Sequence, residues 1–439
     1  MEKCCFHKIV LFGHTDFKFF QNIKSKYGGM GMKPFREKVR GAIQKTALSA
    51  AVLSALLFGA VGWYADRIPQ QFFVTPGEEL RFSSMEMLQS GAPVSYDQTS
   101  LAGKSIGASQ TVTVRLFGII PVTQTHVSVT DRKYVSAGGM LFGIKLFTEG
   151  VMVVDTGSVE TEAGTVSPAA DAGIQKGDII LSVDGQSVSS NESLAAVLAE
   201  DSAPVSISFR REEKLCRTIL TPAKSKIDGS YKGGLWVRDS TAGLGTITYY
   251  DAKTGAFAGL GHGISDSDTG QLMPLSDGQI CRVRLNGIIK GQSGAPGELS
   301  GSFASNEVYG SLYKNGETGV FGELHSDFLT PQEAIPVLNK QEVKTGDAII
   351  RCTLDDGGIK EYKIRIDKID LNEQAITKNL VLTVTDPELL EKTGGIVQGM
   401  SGSPILQDGK LVGAVTHVFV SNPTKGYGIF AENMLKTAE

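Results

Sequence analysis

The chain has 439 residues, 41% hydrophobic and 21% charged, which excludes a disordered protein and exceeds one compact domain. A net charge of −4 argues against nucleic acid as a partner. Fifty-two glycines against 15 prolines point to a mainly β protein with many tight turns.

Residues 1–31 fit no element and read as an over-extended start ahead of Met30 or Met32. From Met32 the pattern is that of an export signal. Lys33, Arg36, Lys38, Arg40 and Lys45 precede an uncharged run from Ala47 to Tyr64, near the ~18-residue lower limit for a spanning helix. Residues 32–65 are expected to be a signal peptide or signal anchor that tethers the protein to a membrane. The basic flank stays cytoplasmic and everything after Asp66 crosses. Residues 66–135 are polar and read as a tether with a short β segment. Within it, "QTVTVRLFGIIPVTQTHVSV" alternates like a hairpin bent at "IIP".

Residues 136–225 form the next unit. Its centre, "VSPAADAGIQKGDIILSVDGQSV", opens a short helix at Pro168, caps it at Gly173 and turns at Gly177-Asp178 into a strand. Asp184-Gly185 then signals a hairpin, and "NESLAAVLAE" a second helix. This order resembles a PDZ domain of the bacterial protease-associated kind. Such domains capture extended peptides by strand addition. The resemblance places the peptide-binding loop at "GGMLFGIKL", with Leu141, Phe142, Gly143 and Ile144 supplying N–H groups and an apolar pocket.

Residues 226–439 are rich in glycine and β-branched residues, with short strands at regular spacing and room for two small barrels. Two copies of Gly-x-Ser-Gly-x-Pro occur here, around Ser293 and Ser401. Acyl transfer to a serine needs a base beside the hydroxyl, a group that orients the base, and N–H donors for the oxyanion. The exported part contains only His126, His262, His325 and His417. His262 lies between Gly261 and Gly263, in a turn that suits an imidazole facing a cleft. After Ser401 come a short apolar strand, an Asp408-Gly409 hairpin and a second apolar strand carrying Thr416 and His417. Ser293 follows His262 too closely to leave a barrel between them, and "GELSGSFASNEVYGSL" after it lacks a pocket wall. It is expected to be a plain turn. By resemblance to chymotrypsin-like proteases, Ser403 is expected to be a supporting polar group or a bystander, not the nucleophile.

The stretch around Ser401 resembles the reactive-serine region of chymotrypsin-like proteases, which implies Gly399 and Ser401 as oxyanion donors. The signal anchor, the PDZ-like unit, "GLGHGISD" and "GGIVQGMSGSPI" together resemble the stage IV sporulation protein B peptidase family. That resemblance implies a chymotrypsin-like double β-barrel, His262 as base, Ser401 as nucleophile and Asp386 as acid. It implies no cofactor and no metal. It also implies an endopeptidase exported from the forespore that cleaves itself and a membrane-associated regulator, leading to late sigma-factor activation. Asp386-Pro387 reads equally as the cap of the helix "PELLEK", with Asp266, Asp367 and Asp370 as other acids. The competing readings are a non-catalytic PDZ scaffold and a metal site of His262, Asp266, Asp268 and His417. Of the five cysteines, Cys4, Cys5, Cys216, Cys281 and Cys352, none forms a C-x-x-C pair. Free thiols are expected, with a Cys281–Cys352 bridge open.

Overall fold

A computed structural model describes residues 32–78, 80, 82–83, 106–116, 119–199, 201–329 and 332–438. The suspected over-extended start at 1–31, and residues 84–105 of the expected tether, lie outside the described residues. Helix α1, Met32–Ala65, is a unit of its own, and its Val39–Ala65 part is long and apolar enough to cross a membrane. It fits a signal or membrane anchor.

The second unit begins with a three-stranded sheet of β1 (Gln71–Val74), β2 (Ser109–Leu116) and β3 (Ile120–Val129). The alternating stretch supplies β2 and β3, which pair antiparallel and bury alternate residues such as Val112, Val114 and Val127. Gln341 holds this sheet by donating to the Phe73 carbonyl at 2.6 Å, and Arg132 bridges Glu78 and Glu342.

Strand β4 (Tyr134–Ala137) leads into β5 (Leu141–Thr156), a 16-residue strand that serves two domains. Its first half belongs to a barrel. Beyond Gly150, at φ +74, its second half belongs to the PDZ domain. A Cβ at Gly150 would stand 2.3 Å from the Ile180 carbonyl oxygen, so only glycine lets the strand pass. The PDZ domain continues with the hairpin β6 (Val159–Thr161) and β7 (Gly164–Val166), and helix α2 (Pro168–Asp171). Strands β8 (Ile179–Val183) and β9 (Gln186–Ser187) follow, then helix α3 (Asn191–Leu198), β10 (Val205–Arg211) and β11 (Lys214–Leu220). Asp184 at φ 49 and Gly185 at φ 82 make the β8–β9 turn, and Ser190 caps α3 through a capping box. Val151, Ile180, Val183, Leu194 and Ile207 form its core.

A small pair, β12 (Ala223–Lys224) and β13 (Tyr231–Lys232), precedes β14 (Leu235–Tyr250). Like β5, β14 spans two domains. Leu235–Arg238 pairs with PDZ residues 152–156, and Ser240–Thr246 pairs with 141–147. The PDZ domain is thus an insertion within the first barrel, not a unit ending near residue 225 as the sequence implied. That barrel closes through β5, β14, β15 (Ala256–Gly259), β18 (Gly319–Leu324), β17 (Glu298–Gly316) and β16 (Leu275–Ile289). Phe142, Ile144, Leu146, Ile247, Phe257 and Val320 fill it. The stretch after Ser293, expected to lack a pocket wall, is the 19-residue barrel strand β17. Its glycines and serines have low strand propensity, but β16 and β18 pair with it on both sides.

After β19 (Ile335–Pro336), a second closed barrel contains β20 (Gly346–Thr353), β21 (Ile359–Ile369), β22 (Leu380–Val384), β23 (Pro404–Gln407), β24 (Lys410–Val418) and β25 (Lys425–Phe430). Helix α4 (Pro387–Thr393) leads to the Ser401 loop, and α5 (Ala431–Ala438) closes the chain. Tyr249, Ala258, Phe321, Ala414, Ile429 and Met434 pack between the barrels. Cys216, Cys281 and Cys352 are free thiols; burial pushes Cys352 up to about 12.

Candidate active site

The His262 turn leaves β15 of the first barrel, and the Ser401 turn precedes β23 of the second. Close backbone contacts fasten them together. Thr246 of β14 donates its N–H to the Ser401 carbonyl at 2.9 Å and its hydroxyl to the Gly399 carbonyl at 3.0 Å. Thr248 donates to the Gly402 carbonyl at 2.8 Å. Gly402 makes this approach possible: a Cβ there would stand 1.9 Å from the Thr246 carbonyl oxygen and 2.5 Å from the Leu260 nitrogen. Leu260 sits at φ +67, a left-handed conformation that costs a branched side chain ~1–2 kcal/mol. It turns the chain sharply from β15 into Gly261-His262. Gly261 in turn lies against Thr416 and Ala414 of β24, where a Cβ would meet Thr416 at 3.0 Å.

His262 Nδ1 lies 2.9 Å from the Gly263 carbonyl oxygen. A carbonyl only accepts, so Nδ1 carries the hydrogen and Nε2 is left with its lone pair. Burial lowers the His262 pKa, opposed by the Gly263 hydrogen bond, so the imidazole is neutral at neutral pH. The His417 ring packs on it with centroids 4.9 Å apart. Burial, with the charges of His262 and Lys378, pushes His417 down to about 4. Its Nδ1 is buried without a partner.

Ser401 Oγ donates to the Thr416 carbonyl at 2.8 Å. A hydroxyl has one proton, so it must leave Thr416 before His262 can take it. Gly399, at φ +95, and Ser401 keep backbone N–H groups that donate to no acceptor among the described residues. They are the only N–H groups in 399–403 left free in this way, since Met400, Gly402 and Ser403 each donate to a carbonyl. Ser403 is 0% exposed with its hydroxyl unpartnered, pointing into the protein.

Asp386 stands elsewhere. It caps α4: Oδ1 accepts from Glu388 and Leu389 N–H at 3.0 and 3.1 Å, and Oδ2 from Lys363 N–H at 3.1 Å. The expected acid is therefore a helix cap, with both oxygens committed to backbone donors. The reserve acids are committed too. Asp266 and Asp268 take the Arg238 guanidinium, Asp367 binds Thr383 and Arg365, and Asp370 accepts from Asn372 N–H. Among the described residues, no carboxylate hydrogen-bonds the His262 ring; the Gly263 carbonyl has that place. His126 on β3 pairs with Thr111 of β2, and His325 precedes a short 3-10 turn, so neither joins the site.

The peptide-binding residues expected at Leu141, Phe142, Gly143 and Ile144 are barrel wall. β5 is paired there with β14 on one side, and Gly143 and Ile144 also with β16 on the other, leaving no edge at those two residues. Phe142 is 0% exposed, and a Cβ at Gly143 would collide with Phe303 at 2.5 Å. The open groove of the PDZ domain is a cavity of about 730 Å³ between α3 and residues 230–237. Over Leu235–Arg238, β14 pairs with β5 alone. The glycine pair Gly233-Gly234 before that edge is the signal that sequence reading passed over.

A family model described as SpoIVB peptidase S55 matches residues 229–435, and a PDZ domain model matches residues 161–211. The chain is a serine peptidase with an inserted PDZ domain, and the peptidase fold reaches back beyond that match to take in β5. Similar solved structures include the PDZ domain of an SdrC-like protein from Listeria monocytogenes, 22% identical, spanning 20% of this chain and 87% of that one, with a TM-score of 0.17. Another is the Rv3671c protease in an inactive form, 12% identical over 44% of this chain and 81% of that one, with a TM-score of 0.26. No curated protein matches.

Proposed function

We propose that this SpoIVB-type peptidase is a membrane-anchored serine endopeptidase that uses Ser401 as nucleophile and His262 as base. The observation that carries the reading is the pair of unpartnered N–H groups on Gly399 and Ser401, in a turn that packs at Gly402 against Leu260, two residues before an imidazole that keeps a bare Nε2. Ser401 Oγ attacks a peptide carbonyl carbon while its proton passes to His262 Nε2. The carbonyl oxygen becomes an oxyanion held by the two N–H groups. The imidazolium then protonates the leaving amine, and water, deprotonated by His262, releases the acyl-enzyme. The Gly263 carbonyl does what an acid does for tautomer and orientation, without a negative charge.

The substrates are proteins, among them the chain itself. Cleavage within residues 66–135 separates the catalytic unit from α1. The family name points to sporulation; in our reading the protein is exported across the forespore membrane and cleaves a membrane-associated regulator, leading to late sigma-factor activation. The PDZ groove beside α3 takes an extended peptide segment by strand addition to Leu235–Arg238. The test is self-cleavage of the full chain in detergent. Ser401→Ala should abolish it, while Ser403→Ala retains it and Ser293→Ala at most slows it. Continued cleavage by Ser401→Ala would end the proposal.

A further inference from the structure

The hexapeptide Gly291–Pro296 takes no part in that chemistry, although it repeats the nucleophile's pattern. It forms the tip of the β16–β17 hairpin, which leaves the first barrel and fastens onto the second. Gly291 N–H donates to the Thr393 carbonyl at 2.8 Å, and Gly294 N–H to the Val420 carbonyl at 2.9 Å. Ser293 Oγ donates to the Ser421 carbonyl at 2.9 Å, so this hydroxyl is an anchor. Just behind the tip, Leu299 N–H donates to the Gln398 carbonyl at 2.9 Å, and Gln398 N–H to the Gly297 carbonyl at 2.8 Å. Leu299 is 5% exposed and packs against Gly399, where a Cβ would stand 3.1 Å from it.

We propose that residues 290–299 are a strap that sets the oxyanion donor, with Leu299 as its positioning residue. The Gln398 carbonyl and the Gly399 N–H belong to one planar trans peptide unit, so they point in opposite directions. Pinning the carbonyl on Leu299 aims the N–H away from the strap. Gly399 has no side chain to resist rotation of that unit, and its N–H has no internal partner to hold it. Without the latch the unit is free to flip, which turns a carbonyl into the place where the oxyanion forms. The reading rests on Ser401 being the nucleophile, and its test separates the two.

A fluorophosphonate phosphonylates the activated serine and places its phosphonyl oxygen among the oxyanion donors; diethyl pyrocarbonate acylates His262 without needing them. Both rates are measured on the full chain in detergent, with modified residues mapped by mass spectrometry. Leu299→Pro removes the N–H latch, whereas Leu299→Ala removes only the side chain packed on Gly399. Loss of one oxyanion donor costs roughly 10²–10³-fold, so Leu299→Pro should slow labelling of Ser401 at least about tenfold and Leu299→Ala by less. Acylation of His262 should hold its rate, and Leu299→Met should recover labelling. Ser293→Ala, at the exposed tip, is the second probe if Leu299→Pro fails to fold; it should slow labelling by less, again without touching His262. Labelling of Ser401 at the unaltered rate in these folded variants overturns the strap and leaves the peptidase reading standing. Equal slowing of both reagents also overturns it, as general loosening. No labelling of Ser401 in the unaltered chain overturns both.

Discussion

Replacing Asp386 with asparagine separates a helix cap from a catalytic acid. The substitution keeps size and shape. The amide oxygen can still receive Glu388 and Leu389 N–H, but the amide nitrogen then faces Lys363 N–H, donor against donor. One hydrogen bond is lost, worth about 1 kcal/mol. The negative charge at the start of α4 is lost too, worth about 0.3–1 kcal/mol. The sum is about 1–2 kcal/mol of stability, and each kcal/mol moves a melting midpoint by about 2–4 °C in a domain of 150–250 residues. Chemistry at Ser401 should barely change, because His262 is oriented by Gly263. Removing the acid of a working triad instead costs about 10⁴ in turnover. Thermal unfolding and the fluorophosphonate rate, measured together well below the midpoint, read both quantities. A fall of several orders of magnitude in labelling at an unchanged midpoint would refute the cap assignment.

Two further outcomes follow from the same contacts. Gly402→Ala should break the docking of the two turns, since its Cβ would overlap the Thr246 carbonyl at a φ of +93; a loss above about 4 kcal/mol, or failure to fold, is expected in denaturant unfolding. The acid limb of the labelling rate should lie below the ordinary imidazole range, because burial favours neutral His262, and protonation as pH falls through that lowered pKa removes the base. His417→Ala opens the His262 ring to water and should move the limb upward; a limb unmoved by this change would mean that His417 does not shield it.

Much of the site is legible before any coordinates because its parts are local. Asp408 at φ 52 and Gly409 at φ 73 form the hairpin written in the sequence, and β23 and β24 flank it as the apolar runs imply. The glycines around His262 and Ser401 mark turns whose backbones must approach other segments of the chain closely. Asp386 was not resolvable, because Asp-Pro before a helix has the same pattern whether the carboxylate caps the helix or leaves it. Leu299 was invisible for another reason. Its effect on Gly399 passes through a hydrogen bond between residues a hundred positions apart, and no short-range period encodes that. The groove at Gly233-Gly234 was missed because "GGMLFGIKL" presents a glycine pair and apolar run of the same kind, and burial between two partner strands is a tertiary fact.

The PDZ insertion was hidden because β5 and β14 cross its boundary without a linker. This has a consequence for how a bound peptide influences the peptidase. A PDZ domain on a flexible tether can swing aside; one joined through two continuous hydrogen-bonded strands cannot do so without breaking the ladder it shares with the barrel. A peptide at Leu235–Arg238 therefore acts only as far as it binds one arrangement of that ladder better than another. The ladder runs from β14 to β5, from β5 to β16 and from β16 to β17, whose first residue, Glu298 in the strap, bridges to Gln398 before the Ser401 turn. Backbone pairing thus runs from the groove strand to the residue before the oxyanion donor Gly399. For a peptide bound at Leu235–Arg238, this architecture predicts a change in the reactivity of Ser401 and not the uncovering of a blocked site.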